Sequence, residues 1–502
     1  MSAAPTAAVA AGTSLPEKLA PRAMSLGVAN ALDYALQFLL PVVLVRYLSP
    51  ADFGGYRLLW LATGTVMAVV TQAMAGSLYY FLPRSDADGK RLYINQAILY
   101  LGAAGLIGAW AVSALNPWLP GNVRNLAGNQ LLVPVFVLLW VMASLLDLIG
   151  TAEERVAWQI RTVVGLSALR ALALSAIAIL TRELEPVLLT LLGFAAFKLA
   201  VLLGYVARHH GVRGPFLNRR AFAEQLRQSA PFGFAGALYG LRVQADQWVA
   251  SVLFPVAMFA SFSIAALVGP LVHLCRQSVG QAFFPSLSRL EAGGDTRGML
   301  ALSSRGSVMV ATLAYPLLAF AFAFGTEIVT AIYTSAYVDA VQVMRIYVLG
   351  LIALVIEPAS IMLLLRQGAF SMRVGVVALL LSVAVSFAGA RLFGLAGAAA
   401  GSVTAIYFEH LTTLRRISKR TGIPLRRVQD WRSLALLLLC AALAGLFARG
   451  VVSFLDLPQS VARAVAGGVL LGAAYLGLVM LCGLGRDWWT ALERLWRRGR
   501  PR

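Results

Sequence analysis

Ten ionisable residues stand inside otherwise apolar stretches of this 502-residue chain: Asp33, Asp147, Arg170, Lys198, Arg242, Asp246, His273, Arg276, Arg345 and Glu357. A charge in hydrocarbon is expensive, so such residues face a neighbouring helix or a wet cavity and are functional candidates. Two stretches carry organised stripes. Asn30, Asp33 and Gln37 follow i, i+3, i+7, and Tyr239, Arg242 and Asp246 repeat that spacing, so each set shares one helix face. Five cations (Arg170, Lys198, Arg242, Arg276 and Arg345) come from both halves of the chain and meet about four acids. That balance suits an anionic guest, with Arg gripping phosphate through paired donors and Lys acting as a point charge. Local neutralisation is the competing account: Arg242 with Asp246 at i, i+4, Asp33 with Arg170 or Lys198, and Glu357 with Arg345. Asp147, His273 and Arg276 lie nearer a membrane surface on this reading, and Glu327 and Glu409 fall close to the ends of their stretches.

The elements that must hold these residues are legible from length alone. Apolar blocks of about 20 residues, the helical length that crosses a bilayer core, repeat from end to end. Hydrophobic residues make up 59% of the chain and charged residues 13%, against about 25% charged in soluble domains. The expected fold is all-α and polytopic, with about 14 transmembrane helices. Their expected positions are 24–45, 57–82, 92–115, 130–151, 163–181, 187–207, 230–254, 258–284, 307–333, 339–365, 374–390, 395–413, 433–454 and 459–482. With the N-terminus inside, roughly 30 of the 42 Lys and Arg fall on the cytoplasmic side and about 7 outside. This predicts a multi-pass protein with both termini cytoplasmic. It also reads the net charge of +20 as topology signal and contact to anionic lipid rather than as nucleic-acid binding.

The blocks group into two pseudo-symmetric lobes. Residues 1–23 read as a disordered cytoplasmic tail, 24–207 as an N-lobe of six helices, 208–229 as a basic cytoplasmic linker and 230–413 as a C-lobe of six. Residues 414–432 form a basic cytoplasmic loop, 433–482 two further helices, and 483–502 an amphipathic tail with Trp488, Trp489, Leu492, Leu495 and Trp496 on one stripe. NRRAFAEQLRQ, before the seventh span, reads as a second interfacial helix. The repeat shows locally as well: placing Ala51 on Ala257 matches Phe53 with Phe259, Gly54 with Ala260 and Tyr56 with Phe262. Repeated lobes are common in transporters, with the substrate site between them.

Four stretches carry a family resemblance. RYLSPADFGGYR, VQADQWVASVLF around Asp246, the run from Ser263 to Leu290 ending FFPSLSRL, and the Gly-Ala turn RLFGLAGAAAGS resemble elements of the polysaccharide transporter (Wzx-like) family. That family belongs to the multidrug/oligosaccharidyl-lipid/polysaccharide (MOP) exporter superfamily. The resemblance covers most of residues 20–415 and names no catalytic residue. The Arg-rich first-helix pattern of the related peptidoglycan-precursor flippases has no clear match here.

The resemblance implies a flippase of the bacterial inner membrane, not an enzyme. Its cargo would be an undecaprenyl-diphosphate-linked oligosaccharide destined for exopolysaccharide, capsule or O-antigen. Arg170, Lys198, Arg242, Arg276 and Arg345 would neutralise the headgroup, and Asn30, Gln37 and Tyr239 would hydrogen-bond sugars. Asp33, Asp246 and Glu357 are the candidates for ion coupling, to a proton or sodium gradient or to the membrane potential, with no cofactor. Membrane lipids are expected partners, a polysaccharide polymerase and co-polymerase are left open, and nucleic acid is not expected. Two alternatives stand beside this: a multidrug or metabolite cation antiporter of the same superfamily, and an O-antigen polymerase or ligase-type membrane enzyme. No outside loop exceeds roughly 15 residues on these boundaries, which speaks against the enzyme. No P-loop and no His/Cys metal spacing is present. Asp86-Ala87-Asp88 has the look of a sugar-nucleotide metal motif but reads better as a polar turn. Cys275, Cys440 and Cys482 all lie in apolar blocks, so no disulfide framework is expected.

Overall fold

The computed structural model describes Leu32 and residues 35–126, 131–211, 214–455 and 459–483. Among these residues there is no strand. The N-terminal half contains α1 (Ala35–Tyr47), α2 (Pro50–Phe81), α3 (Ala87–Ala111), the short α4 (Gly121–Leu126), α5 (Leu132–Ala143), α6 (Leu146–Ala152), α7 (Val156–Thr181) and α8 (Leu184–His210). The second half contains α9 (Arg219–Leu253), α10 (Val256–Ala265), α11 (Gly269–Ala292), α12 (Thr296–Ala323), α13 (Gly325–Ile332), α14 (Ala340–Ala353), α15 (Ala359–Leu364) and α16 (Gly368–Thr421). Two helices close the described chain, α17 (Trp431–Phe454) and α18 (Ser460–Leu481).

Ten helical stretches among the described residues are long and apolar enough to cross a membrane. The 54-residue α16 is two of the expected spans. It turns at Gly394, whose φ of 64° and ψ of −147° are open to glycine and strained for any residue with a Cβ. Lipid-facing side chains such as Leu106, Ile107, Leu172 and Val469 are exposed, as a membrane solvent permits, while Phe53, Phe136, Phe259, Phe262, Phe324 and Tyr337 are fully buried.

The local repeat has a structural counterpart. Ser49 caps α2, accepting from the Asp52 amide, and Pro50 occupies its first turn, where the missing proline N–H would be unpaired in any case; at the position matched with Ser49, Pro255 caps α10. The two starts also touch. A Cβ on Gly54 would stand 2.2 Å from the Val256 carbonyl oxygen, so the absence of a side chain lets the lobes meet backbone to backbone.

Three expectations change. NRRAFAEQLRQ does not lie apart on the membrane. Asn218 caps α9, accepting from the Arg220 and Ala221 amides, and the helix runs on through Pro231 into its span. Gln225, fully buried, donates to Ser77 at 2.8 Å and accepts from Gln96 at 3.2 Å, so this segment packs on α2 and α3. The stretch expected as linker is therefore helix from Arg219 on. Glu327, set aside as a span-end residue, is buried and pairs with Arg449 of α17. With Tyr475 of α18 donating to the Thr312 carbonyl at 3.1 Å, this contact docks the last two helices on the second lobe.

Asp86 is a helix cap whose side chain accepts from Gly89 N at 2.9 Å, which is the polar-turn reading of that motif. The three cysteines are free, with Cys440 and Cys482 Sγ atoms 3.9 Å apart. Residues 1–23 and the Trp-rich stripe near the C-terminus lie outside the described residues.

Candidate functional site

Among the described residues, each lobe carries a hollow that several of the candidate residues line. The N-lobe cavity is about 550 Å³. Its walls include Gln37 from α1, Trp60 and Tyr79 from α2, Trp140 from α5, Asp147 from α6, Arg170 from α7 and Lys198 from α8. The expected fourth span is interrupted at Ser144 and Leu145. Gln159 secures the interruption by accepting from Gly150 N and donating to the Leu146 carbonyl, both at 2.9 Å. This presents Asp147 to Lys198, and the two form an ion pair of 2.8 Å.

Trp60 and Trp140 stand edge to face with ring centroids 5.0 Å apart. The Arg170 guanidinium lies 5.7 Å from one ring centre and 5.8 Å from the other, and Lys198 Nζ lies 4.7 Å from the Trp140 ring. Ring faces attract cations at these distances, which fixes both heads at the wall. Lys198 has a carboxylate. Arg170 has none among the described residues, and its buried Nε lacks a hydrogen-bond partner. The described lining therefore holds two cations against one acid.

The C-lobe cavity, about 440 Å³, is lined by Tyr239, Arg242 and Asp246 of α9, His273 of α11, Tyr347 of α14 and Ser402 of α16 among others. Its charges are matched differently from the local pairing the sequence suggested. Arg242 pairs across helices with Glu409 at 2.6 Å, its guanidinium 5.3 Å from the Tyr239 ring centre. Asp246 is 1% exposed and accepts from Tyr347 OH at 2.7 Å and from Gln247 N at 2.8 Å. The α9 stripe thus does share one wall, but its arginine and its aspartate serve different partners.

The remaining candidates are placed as follows. Arg276 bonds His273 Nδ1 at 3.1 Å along α11, beside the C-lobe cavity. Arg345 donates to the Phe322 carbonyl at 3.2 Å and sits 5.7 Å from that ring, which anchors it on α12. Glu357 does not pair with Arg345. Its carboxylate accepts from Ser360 N at 3.2 Å at the start of α15. Asn30 and Asp33 lie outside the described residues. Sequence reasoning missed Trp60, Trp140 and Tyr347, and set Glu409 aside as a span-end residue; the helix that carries it runs on to Thr421.

Polar bonds also cross the seam between lobes. Thr65 donates to Gln244 at 2.6 Å and accepts from Trp248 Nε1 at 2.7 Å. Asn122 donates to the Ser251 and Phe254 carbonyls at 2.6 and 3.0 Å. Outside the spans, burial pushes Glu153 up, but bonds from His210 and Tyr205 and the charge of Arg155 outweigh it, leaving its carboxyl below the ordinary value.

The Arg242–Glu409 pair gives a direct check. Arg242→Glu and Glu409→Arg should each lower thermal stability in detergent, and the double swap should recover part of the loss, with a coupling of about 0.5–3 kcal/mol. Additive losses would mean the pair does not act as a unit.

This polytopic helical fold is one that solved flippase and transporter structures share. No family model matches the chain, and no curated protein matches it in sequence. Solved structures do. A lipid II flippase, MurJ, in an inward closed conformation aligns with a TM-score of 0.65 at 13% identity, over 93% of this chain and 99% of its own. An inward-facing multidrug resistance MATE family transporter aligns at 0.57 and 12% identity, over 77% of this chain and 95% of its own. A MOP superfamily transporter from Pyrococcus furiosus, described as having a binding pocket of reversed polarity, aligns at 0.51 and 14% identity, over 80% and 96%. At these identities the likeness is one of fold.

Proposed function

We propose that this protein is a flippase of the bacterial inner membrane that carries polyprenyl-diphosphate-linked oligosaccharide from the cytoplasmic to the periplasmic leaflet. The observation that carries the reading is Arg170, a cation held between two tryptophans on a cavity wall with no carboxylate of its own among the described residues. A diphosphate supplies the missing charge, with Lys198 as a second contact. Aromatic faces such as Trp60 and Trp140 suit sugar rings, and Gln37 adds a polar edge. The lipid tail stays in the bilayer while the headgroup crosses inside the protein, which avoids the large cost of a bare polar group in hydrocarbon. The two lobes rock about their seam, closing inside and opening outside. Asp246, buried on the C-lobe wall, is the candidate for the coupling cation, and α17 and α18 extend the apolar surface available to the tail.

The fold supports this class, since one protein that shares it is a lipid II flippase and others are multidrug transporters. None of those compared is an enzyme by its description. The second reading, a cation antiporter, draws on the C-lobe cavity, where Asp246 offers an acid among apolar side chains.

Reconstituted vesicles separate the two. A fluorescent undecaprenyl-diphosphate oligosaccharide should change leaflet in a protein-dependent way, read by quenching of the exposed headgroup, while a cationic dye should stay put. Dye movement without headgroup movement would replace the flippase with the antiporter.

A further inference from the structure

The basic membrane face has a built feature that neither cavity uses. Just beyond α15, Arg366 takes a left-handed φ of 54° and Gln367 N bonds back to the Met362 carbonyl at 2.9 Å, while Gln367 Nε2 donates to the Leu365 carbonyl at 3.1 Å, which holds the side-chain amide at the start of α16. Its Oε1 accepts from two arginines at the far end of α16, Arg416 Nε at 2.9 Å and Arg420 Nε at 3.2 Å. Arg416 also lies 4.7 Å from the Phe370 ring centre. Two guanidinium groups thus converge on one neutral oxygen, and neither has a carboxylate within ion-pair distance among the described residues. Like charges brought this close repel unless an anion stands between them. Their Nη donors have no protein acceptor among the described residues, and a planar fork of that kind matches phosphate oxygens.

The depth of the feature indicates which phosphate. Arg416 is one turn beyond the expected end of its span at 413, and Trp431, partly exposed at the start of α17, donates its indole N–H to the Leu425 carbonyl at 3.0 Å on the same face. Tryptophan in that position marks the membrane–water boundary, where lipid headgroups lie.

We infer that Gln367, Arg416 and Arg420 form a binding site for the phosphate of an anionic phospholipid in the adjoining leaflet. The site is separate from transport substrate: it holds a resident lipid against the C-lobe where α15 meets the end of α16. Arg426 and Arg427, on the loop that follows, belong to the diffuse basic surface around it.

Native mass spectrometry of the full chain tests the assignment, with phosphatidylglycerol, phosphatidylcholine and glycerophosphate as probes. Retention of phosphatidylglycerol should fall about a thousandfold in Arg416→Gln/Arg420→Gln, the loss of two charge-assisted contacts. Arg426→Gln/Arg427→Gln, which removes the same charge nearby, should lower it by no more than about thirtyfold, at about fivefold per basic residue near an anionic surface. Gln367→Leu keeps both charges and removes the shared oxygen, so it should weaken retention and keeps the test open if the double variant fails to fold. Equal losses in the two double variants, or no loss with Gln367→Leu, would overturn the site in favour of a diffuse basic surface. Glycerophosphate bound as tightly as phosphatidylglycerol would overturn it in favour of a soluble anion.

Discussion

Arg170→Ala should reduce flipping of the lipid-linked oligosaccharide by about two orders of magnitude, the effect of losing a charge-assisted contact of about 2–3 kcal/mol. The protein should still insert and remain monodisperse, because Arg170 makes no ion pair among the described residues and its main contacts are two ring faces. Arg170→Lys should be intermediate, since it keeps the charge but loses the planar fork. Lys198 behaves differently because it is already paired. Lys198→Ala strands Asp147, whose carboxylate then opposes Arg170 and repels an anionic guest. Adding Asp147→Asn should restore part of the rate, and no such rescue should follow from Asp147→Asn in the Arg170→Ala background. Initial rates in vesicles, normalised to protein content, provide the readout. Full activity in Arg170→Ala would remove the N-lobe cavity from the transport path and end the flippase reading built on it.

What could be read beforehand divides along a physical line. Span length is a property of the solvent: any helix that crosses hydrocarbon needs about 20 apolar residues, whatever it packs against. The crossing helices and the turn at Gly394 were therefore open to sequence reasoning. Buried charge is legible for the same reason, and Arg170, Lys198, Arg242 and Asp246 all fall on cavity walls. Partners are not. Arg242 and Asp246 sit at i, i+4 and invite a local pair, but Glu409 on α16 and Tyr347 on α14 reach them first, and only the tertiary fold brings those helices to α9. Trp60 and Trp140 carry no signal because an aromatic residue in an apolar block is ordinary until a cation is seen over its face. Arg345 shows the converse. Its charge stood out in sequence, but a backbone carbonyl and the Phe322 ring hold it on α12.

The largest structural effect should come from Gly401→Leu. The two halves of α16 fold back at Gly394 and press together through small residues. A Cβ at Gly401 would stand 2.1 Å from Ser386 Oγ and 2.2 Å from the Ser382 carbonyl oxygen, and one at Gly397 would stand 2.0 Å from the Gly389 carbonyl oxygen. The serine hydroxyl can rotate away, but the carbonyls are backbone and can yield only if the helices part. Overpacking of adaptable cores costs about 1–3 kcal/mol, and a backbone obstruction should exceed that range. Gly401→Ala should already be destabilising, because the obstruction begins at Cβ. Gly165→Leu on α7 is the control: nothing lies within 4 Å of that position, and leucine is the better helix former. Melting in detergent should fall sharply for Gly401→Leu and hold for Gly165→Leu. The damage should also reach the C-lobe cavity, because Ser402 is the next residue and Glu409 lies farther along the same helix, paired to Arg242. In the Gly401→Ala background the Arg242–Glu409 coupling should therefore shrink; coupling unchanged from the parent would mean that the pair tolerates displacement of the hairpin that carries it.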